Sequence, residues 1–195
     1  MNVFLKLRHY ANRLRLLVDK KFYPEYLRRQ GVRIGRNSVL LYPSYIDPRT
    51  PYLVEIGNDV VISLNVTILT HDASTAFAGD LIKVGRVRIL DHCFIGMNST
   101  ILCNVTIGPN CIVGANAVVS GDIPENSVYA GNPARFICST EEYISKHRDL
   151  SSGVPLIEGC HYEHPYISED RKQTLIHELD TTFGYFCAQL PPDRM

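Results

Sequence analysis

Aliphatic residues return at every sixth position between Ile89 and Val119. This segment reads as successive blocks that begin with isoleucine or valine, at residues 89, 95, 101, 107 and 113. A period of six matches neither the 3.6-residue period of a helix nor the two-residue alternation of a long strand. It is typical of a parallel β-helix, in which each hexapeptide supplies one flat face and its turn. The hydrophobic pattern therefore predicts an all-β solenoid.

The same period extends towards the N-terminus. Its earlier aliphatic positions are Ile34, Leu40, Ile46, Ile56, Ile62 and Ile68. A small or β-branched residue lies four positions after most of these aliphatic residues. The position directly after the aliphatic residue is often glycine, as at Gly96 and Gly114. A tight corner of the backbone favours a residue without a Cβ atom. We therefore expect the solenoid to span residues 32–137.

Two interruptions break the period. The spacing from Ile46 to Ile56 is ten residues, so four extra residues lie at a proline-rich corner. The spacing from Ile68 to Ile89 is twenty-one residues, and residues 71–87 do not keep the frame. Long loops on a repetitive scaffold usually carry function. His71 stands at the root of this second loop and is the first candidate for chemistry.

The segments on either side of the solenoid read as helical. Residues 2–30 have apolar side chains at helical spacing, and Pro24 is expected to divide them into two short helices before Gly31 ends the helical part. A short helix at Glu141–Asp149 is predicted to cap the open end of the solenoid, and another is predicted at residues 168–180. The predicted division is therefore 1–31, 32–137 and 138–195.

The composition of the 195 residues is that of an ordinary globular chain with a formal net charge of zero. No apolar run approaches the roughly 20 residues of a membrane helix, and no signal peptide is recognisable. The six cysteines form no CxxC pair, so we expect reduced thiols in a cytoplasmic protein, with Cys93 and Cys111 as compact core residues. Cys160, His161 and His164 are too few for a metal centre, and no metal is predicted.

Positive charge is concentrated at the N-terminus. Residues 1–36 contain ten of the 20 lysines and arginines, against Asp19 and Glu25. The neutral overall charge argues against a nucleic-acid-binding protein. One interpretation is a solvated helix that packs on the base of the solenoid. The other is a face that meets anionic lipid head groups or a phosphate-bearing substrate at the inner face of the membrane.

The motifs together resemble the hexapeptide-repeat acyltransferases. They are the hexads, Thr70-His71-Asp72 at the loop root, and the ending Asp122-Ile-Pro-Glu-Asn-Ser-Val-Tyr-Ala-Gly-Asn-Pro-Ala-Arg135. Within that family the chain looks most like the maltose, galactoside and nodulation O-acetyltransferases and the enzymes that modify bacterial surface polysaccharides. The resemblance implies a left-handed β-helix, a homotrimer, and acetyl-CoA bound in the groove between neighbouring prisms.

The resemblance also implies roles for individual residues. His71 matches the family's catalytic histidine, which takes the proton of the acceptor hydroxyl; imidazole suits this because it accepts a proton near neutral pH. The matches to coenzyme A contacts are Phe94, Met97, Ala115, Ser120 and Arg135. Relatives often have lysine where this chain has Gly121, so one phosphate contact is either lost or supplied elsewhere, for example by Arg86 or Arg88. The residue that orients His71 is left open.

The acceptor side is less clearly marked. Asn65 and Asp47 are candidates for binding the saccharide on position alone. The leading hypothesis is direct acetyl transfer from acetyl-CoA to a saccharide hydroxyl in surface polysaccharide biosynthesis, since no serine or cysteine stands beside a base. The alternatives are N-acetylation of an amino sugar or a drug, and a non-catalytic scaffold. A carbonic anhydrase is disfavoured because His71 and His92 are the solenoid's two histidines.

Overall fold

The computed structural model describes residues 22–157 and 168–186. The chain divides into two compact units, residues 1–141 and 142–195. Within the described residues the helices are α1 (Phe22–Arg29), α2 (Thr140–Ser151) and α3 (Glu169–Glu178), with short 3-10 helices at Pro51–Leu53 and Ser74–Ala78. The strands are β1 (Arg33–Ile34), β2 (Val39–Leu40), β3 (Tyr45–Ile46), β4 (Val54–Ile56), β5 (Val61–Ile62), β6 (Thr67–Ile68), β7 (His71–Asp72), β8 (Lys83–Val84), β9 (Val87–Ile89), β10 (Phe94–Ile95), β11 (Thr100–Ile101), β12 (Val105–Ile107), β13 (Ile112–Val113), β14 (Val118–Val119), β15 (Ser127–Ala130), β16 (Arg135–Ser139), β17 (Leu156–Ile157) and β18 (Tyr185–Phe186).

Three parallel sheets form the sides of a solenoid in the first unit. Sheet 1 has the order β1-β4-β9-β12, sheet 2 the order β2-β5-β10-β13-β15-β16, and sheet 3 the order β3-β6-β11-β14; β16 alone of these strands is antiparallel to its neighbour. From β1 to β14, apart from the β7–β8 hairpin, consecutive strands lie in different sheets, so the chain visits sheets 1, 2 and 3 in turn before it climbs to the next coil. Ile89 pairs with Ile107, and Ile101 with Val119. A full coil therefore takes three hexapeptides, as the period predicts.

The predicted aliphatic residues fill the interior. The isoleucines at 56, 62, 68, 89, 95, 101 and 107 are at most 2% exposed, whereas Ile34 on the first coil is half-buried. Burying each such side chain contributes roughly 1.5–3 kcal/mol before chain entropy opposes it. Cys93 and Cys111 lie in the same core as free thiols. The interpretation of these cysteines as compact core residues is confirmed.

The corners of the solenoid use glycine and asparagine for different reasons. Gly96 does not have a left-handed conformation, but a Cβ atom there would lie 2.5 Å from the backbone nitrogen of Ala115 on the next coil. The left-handed turn positions are held by other residues, for example Asn98 at φ 60° and Asn116 at φ 58°. Asparagine tolerates this conformation better than most side chains. Glycine is therefore required by the close approach of the next coil.

Helix α1 ends at Arg29, just before Gly31, the residue that the sequence predicts to end the helical part. Gly31 has φ 103° and donates its backbone N–H to the carbonyl of Arg28 (3.0 Å), while Val32 donates to the carbonyl of Leu27 (3.1 Å). This pair of hydrogen bonds is a Schellman motif, which satisfies the last carbonyls of a helix and turns the chain. Leu27 and Val32 are both buried in the core. Pro24 lies in the first turn, where proline is tolerated.

The solenoid continues for part of a further coil after Val119. Ile123 forms a bridge with Ile107, and β15 adds to sheet 2 beside β13. Strand β16 then reverses and pairs antiparallel with β15. Helix α2 begins at Thr140 and includes the helix predicted at Glu141–Asp149. Helix α3 lies where residues 168–180 predict it.

In the second unit, short parallel strands β17 and β18 pair with each other. The Nδ1 atom of His147 and the hydroxyl of Tyr185 are 2.7 Å apart. Residues 1–21 carry much of the basic bias, and they lie outside the described residues. In the part of the chain that is described, no helix combines the length and the apolar character needed to cross a membrane.

Candidate active site

Both interruptions of the period fall at one corner of the solenoid. The turn from sheet 3 to sheet 1, named here corner 3–1, contains the insertion that follows β3 and the loop that follows β6. Because Ile46 of β3 pairs with Ile68 of β6, the two insertions leave adjacent coils at equivalent positions. The corner therefore brings Asp47, the first residue after β3, close to the root of the long loop.

The Asp47 carboxylate contacts the His71 ring directly. Oδ2 of Asp47 and Nδ1 of His71 form a hydrogen bond across a separation of 24 residues in the sequence. A carboxylate only accepts, so Nδ1 carries the proton and the lone pair of the imidazole lies on Nε2. Asp47 is fully buried, whereas the His71 side chain is 26% exposed. The arrangement fixes one tautomer and leaves the ring open to an acceptor.

Several donors hold the Asp47 carboxylate in place. Oδ1 accepts from the backbone N–H of Arg49 (3.1 Å), and Oδ2 accepts from the backbone N–H (3.2 Å) and the hydroxyl (2.9 Å) of Thr70. Burial raises the pKa of Asp47, but the hydrogen bonds from Arg49, His71 and Thr70 outweigh it and lower the pKa below its ordinary value. Asp47 is therefore held ionised beside the imidazole.

A pair of threonines completes this network. The hydroxyls of Thr50 and Thr70 are 2.6 Å apart, and Thr70 is fully buried. Thr50 belongs to the four-residue insertion, and Thr70 precedes His71. The sequence motif Thr70-His71-Asp72 includes Thr70 but assigns it no role, and Thr50 lies outside the motif. The available signal was that both insertions carry polar residues close to where they leave sheet 3, at Asp47 and at Thr70-His71.

The long loop begins and ends as a hairpin. Strand β7 pairs antiparallel with β8, with His71 opposite Val84 and Asp72 opposite Lys83. The Asp72 carboxylate accepts a hydrogen bond from the backbone N–H of Ser74 (2.9 Å). The hydrogen bond from the Ser74 hydroxyl and the one from its backbone N–H lower the pKa of Asp72. Phe77 near the tip is fully exposed.

A cavity of about 390 Å³ lies further along corner 3–1. Ser120, Gly121 and Arg135 line it, together with Tyr129 and Phe136. Ser120 follows β14, which is two coils above β6, so the cavity lies roughly 10 Å along the solenoid axis from the root of the long loop. The structure thus brings Ser120 and Arg135 together. A cationic side chain beside a hydroxyl suits a phosphate group.

Phe94, Met97 and Ala115 lie elsewhere on the prism. Phe94 is 44% exposed on the outer face of sheet 2. Met97 and Ala115 occupy equivalent positions on adjacent coils at the turn from sheet 2 to sheet 3, and Asn116 donates its backbone N–H to the carbonyl of Met97 (2.9 Å). The five residues matched to coenzyme A contacts therefore form separate groups on one chain.

The two candidates for the acceptor side have different surroundings. The sequence position of Asp47 predicts a contact with the saccharide, but its buried carboxylate accepts hydrogen bonds from His71, Thr70 and Arg49. This carboxylate supplies the orienting group that the sequence left open. Asn65 is exposed at the turn from sheet 2 to sheet 3, with φ 57°. Its conformation is that of the other turn asparagines, and it lies at a different corner from His71.

The described residues contain no candidate metal site. Within 22–157 and 168–186, no three His, Cys, Asp or Glu side chains stand together in a way that could hold an ion. Cys160, His161 and His164, the three clustered metal-binding residue types of the C-terminal sequence, lie outside those ranges.

Comparisons with known proteins agree with this architecture. Residues 86–121 match the bacterial transferase hexapeptide family, described as six repeats. Protein CapG of Staphylococcus aureus is 37% identical over 138 residues, which cover 67% of this chain and 78% of CapG. For two other relatives the chain spans less than two thirds of their length, 62% of one from Bacillus subtilis and 44% of one from Schizosaccharomyces pombe.

Solved structures with the same fold include two acetyltransferases. A maltose O-acetyltransferase of Clostridium difficile 630 is 26% identical with a TM-score of 0.50, covering 71% of this chain and 89% of its own. A hexapeptide-repeat acetyltransferase of Vibrio cholerae is 23% identical with a TM-score of 0.53, covering 71% and 93%. The Vibrio protein has also been solved in complex with acetyl-CoA. The resemblance seen in the sequence is confirmed: the chain belongs to the hexapeptide-repeat acyltransferase family, and its solenoid is a left-handed parallel β-helix.

Proposed function

We propose that this protein transfers an acetyl group from acetyl-CoA to a hydroxyl of a saccharide, with His71 as the general base. The observation that carries the proposal is the buried Asp47 carboxylate on Nδ1 of His71. A structural histidine on a solenoid corner does not require a buried, ionised partner with its own set of hydrogen-bond donors. An imidazole that must accept a proton and hold the resulting charge does.

The chemistry follows from the tautomer. Nε2 of His71 takes the proton of the acceptor hydroxyl as its oxygen attacks the thioester carbonyl. Asp47 stabilises the imidazolium, because the ring then carries a positive charge against a carboxylate. The carbon–sulfur bond breaks, the acetyl group stays on the acceptor oxygen, and the imidazolium returns the proton to the thiolate of coenzyme A. Acetyl transfer is direct, and no side chain is acylated.

Binding of acetyl-CoA is supported by the cavity at corner 3–1. Arg135 and Ser120 suit a phosphate end of the molecule, and His71 lies roughly 10 Å away along the axis, within the reach of an extended pantetheine arm. The bound acetyl-CoA of the Vibrio protein gives independent support. We assign Phe94, Met97 and Ala115 to the walls of the groove for the same substrate.

The saccharide acceptor is supported by the maltose O-acetyltransferase among the solved structures. We further propose that the acceptor belongs to surface polysaccharide biosynthesis, and that Asn65 is a candidate contact for the saccharide.

A homotrimer accounts for the separation of the coenzyme A contacts. Met97 and Ala115 lie at the turn from sheet 2 to sheet 3, whereas Ser120 and Arg135 lie at corner 3–1. In a cyclic threefold assembly one corner of a prism faces a different corner of its neighbour, so both groups can line one groove. Sedimentation equilibrium at micromolar concentration is expected to give three times the chain mass of 22.0 kDa. A monomer would contradict the shared groove.

The basic N-terminal segment is proposed to work at the cytoplasmic face of the membrane. Residues 1–36 carry ten basic residues against two acidic ones, and a trimer would present them three times. Co-sedimentation with anionic vesicles is expected at low salt and should fall as ionic strength rises. Absence of binding at low salt would leave the segment as a cap on the solenoid.

The general base is tested by His71→Asn beside a matched His92→Asn. His92 is exposed on the same solenoid at φ 58°, a turn conformation that asparagine accepts. Release of coenzyme A thiol should fall about 10²–10⁴-fold for His71→Asn and stay near wild type for His92→Asn. Retention of more than about a tenth of wild-type turnover in a folded His71→Asn protein would refute His71 as the base.

A further inference from the structure

Three arginines converge on one carboxylate oxygen on the outer face of sheet 1. Arg33 of β1, Glu55 of β4 and Arg88 of β9 occupy paired positions on successive strands. Oε2 of Glu55 lies 2.8 Å from Nη2 of Arg33, 3.0 Å from Nη2 of Arg86 and 3.9 Å from Nε of Arg88. Arg86 precedes β9 and shares the outer face with Arg88, because side chains alternate along a strand. These residues form the Arg33–Glu55 cluster.

The cluster has more positive charge than its carboxylate can neutralise. Arginine stays charged at any physiological pH, so three guanidinium groups and one carboxylate leave an excess of two charges. The arginine side chains are 40–59% exposed. Exposed ion pairs contribute little to stability, and a second and third arginine on the same oxygen repel the first. Stability of the coils is therefore a poor explanation for the arrangement.

Each guanidinium also has unused capacity for an anion. Arginine presents five N–H donors in a planar fork that matches phosphate and carboxylate groups. The contacts to Glu55 involve one nitrogen of each arginine. Glu55 gathers the three side chains at one place and offsets part of their repulsion. The remaining N–H groups can then bind an oxyanion from solvent.

The position of the cluster ties it to His71. Val84 pairs with His71 across the hairpin, and Arg86 follows Val84 by two residues, roughly 7 Å along an extended chain. Glu55 lies on the strand that follows the insertion containing Asp47. Glu55 thus lies on the coil that carries His71, and Arg33 and Arg88 lie on the coils on either side. Ser120 of the cavity with Arg135 lies two coils beyond that of His71 along the axis.

We propose that the Arg33–Glu55 cluster is an anion-binding site that holds a phosphate or carboxylate group of the acceptor saccharide beside His71. The inference rests on the proposed function and narrows its substrate class from saccharides in general to anionic ones. The phosphates of coenzyme A offer the same chemistry from a second source. They are assigned to Arg135 because that arginine lines the cavity, at a distance along the axis from the acetyl acceptor.

The kinetic test compares a hexose phosphate with the matched neutral hexose as acceptors. Arg88→Gln is expected to raise the KM for the hexose phosphate about tenfold or more, the effect of losing one charge-assisted hydrogen bond. The KM values for the neutral hexose and for acetyl-CoA should stay unchanged. Arg36→Gln is the matched control, since Arg36 is an exposed arginine of the same solenoid at the turn from sheet 1 to sheet 2. A rise in the KM for acetyl-CoA instead would overturn the proposal in favour of coenzyme A phosphates.

Glu55→Gln gives a prediction of opposite sign. Removal of the carboxylate leaves three uncompensated arginines, so the KM for the hexose phosphate should fall. Thermal shift with inorganic phosphate, at constant ionic strength set with chloride, reports binding without turnover. Glu55→Gln should enlarge the shift, and Arg88→Gln should reduce it. Equal shifts in wild type and both variants would overturn the anion site, whereas an active His71→Asn protein would overturn the proposed base and leave this result standing.

Discussion

Replacing Asp47 by asparagine removes one negative charge from behind His71 and keeps nearly the same side-chain volume. The carboxylate has four donors around it: His71 and both donors of Thr70 on Oδ2, and the Arg49 backbone on Oδ1. An amide has one oxygen and one NH₂ group, so it cannot accept from all four. The new side-chain amide can therefore take two orientations, and each loses at least one of these hydrogen bonds.

If the amide oxygen faces His71, the tautomer is kept but the charge is lost. Hydrogen bonds to charged groups contribute about 1.5–3 kcal/mol, against about 0.5–1.5 kcal/mol for neutral ones. The imidazolium formed during transfer then loses about 1–1.5 kcal/mol of stabilisation, which is roughly tenfold in rate. The NH₂ group then faces the Arg49 N–H, and this unsatisfied, partly buried pair of donors costs folding free energy, up to about 1–3 kcal/mol.

If the NH₂ group faces His71, the ring takes the other tautomer. Nε2 then carries the proton and cannot accept another, so the loss approaches that of removing a general base, about 10²–10⁴-fold. The amide would in addition face the backbone N–H of Thr70. The expected loss of turnover for Asp47→Asn is thus between about tenfold and 10⁴-fold, with a KM for acetyl-CoA near that of wild type.

The assay is release of coenzyme A thiol under saturating acceptor, together with urea unfolding. Asp72→Asn is the matched control, because Asp72 is adjacent to His71 in the sequence but is exposed and bonded to Ser74. It should retain near-wild-type turnover. Equal effects of the two substitutions on a folded protein would refute Asp47 as the residue that orients the base.

The lowered pKa of Asp47 adds a dependence of stability on pH. A carboxyl whose pKa is lower in the folded state stabilises the fold above its ordinary pKa, here 3.8, and loses that contribution as the pH falls through the folded-state value. The difference in unfolding free energy between wild type and Asp47→Asn should therefore be largest at neutral pH and shrink in acid. A difference that stays constant throughout the acid range would contradict the ionised carboxylate.

Further substitutions test the rest of the site and the core. Thr70→Val removes the hydroxyl donor to Asp47 and should lower turnover about tenfold with a shifted pH–rate profile, whereas Thr70→Ser should restore both; a normal profile for the valine variant would exclude a positioning role. Gly121 has open space around it, so a lysine fits there, and Gly121→Lys should lower the KM for acetyl-CoA by up to about fivefold, the effect of one exposed ion pair. An unchanged KM would rule out a phosphate contact at this position. Ile101→Ala empties a fully buried position and should cost about 2–5 kcal/mol in urea unfolding, while the exposed Ile137→Ala should cost less than about 0.5 kcal/mol; similar losses would place Ile101 outside the core.

The six-residue period determined the solenoid because every aliphatic position in it must face the interior. A shift of one residue would expose the whole set, so the register of Ile89 with Ile107 follows from the sequence. The same period located both insertions, since extra residues cannot enter strands that are paired on both sides. His71 was identified by its place at the root of the longer insertion.

The role of Asp47 was decided by the tertiary structure. The period is interrupted after Ile46 and says nothing about where the side chains of the insertion point. The contact with His71 arises because two coils stack in register at one corner, joining residues 24 positions apart. The meeting of Arg33, Glu55 and Arg88 has the same origin, since each belongs to a different coil. A hydrophobic period specifies which side chains lie inside each coil. Contacts between polar side chains of different coils depend on positions whose orientation the period does not specify.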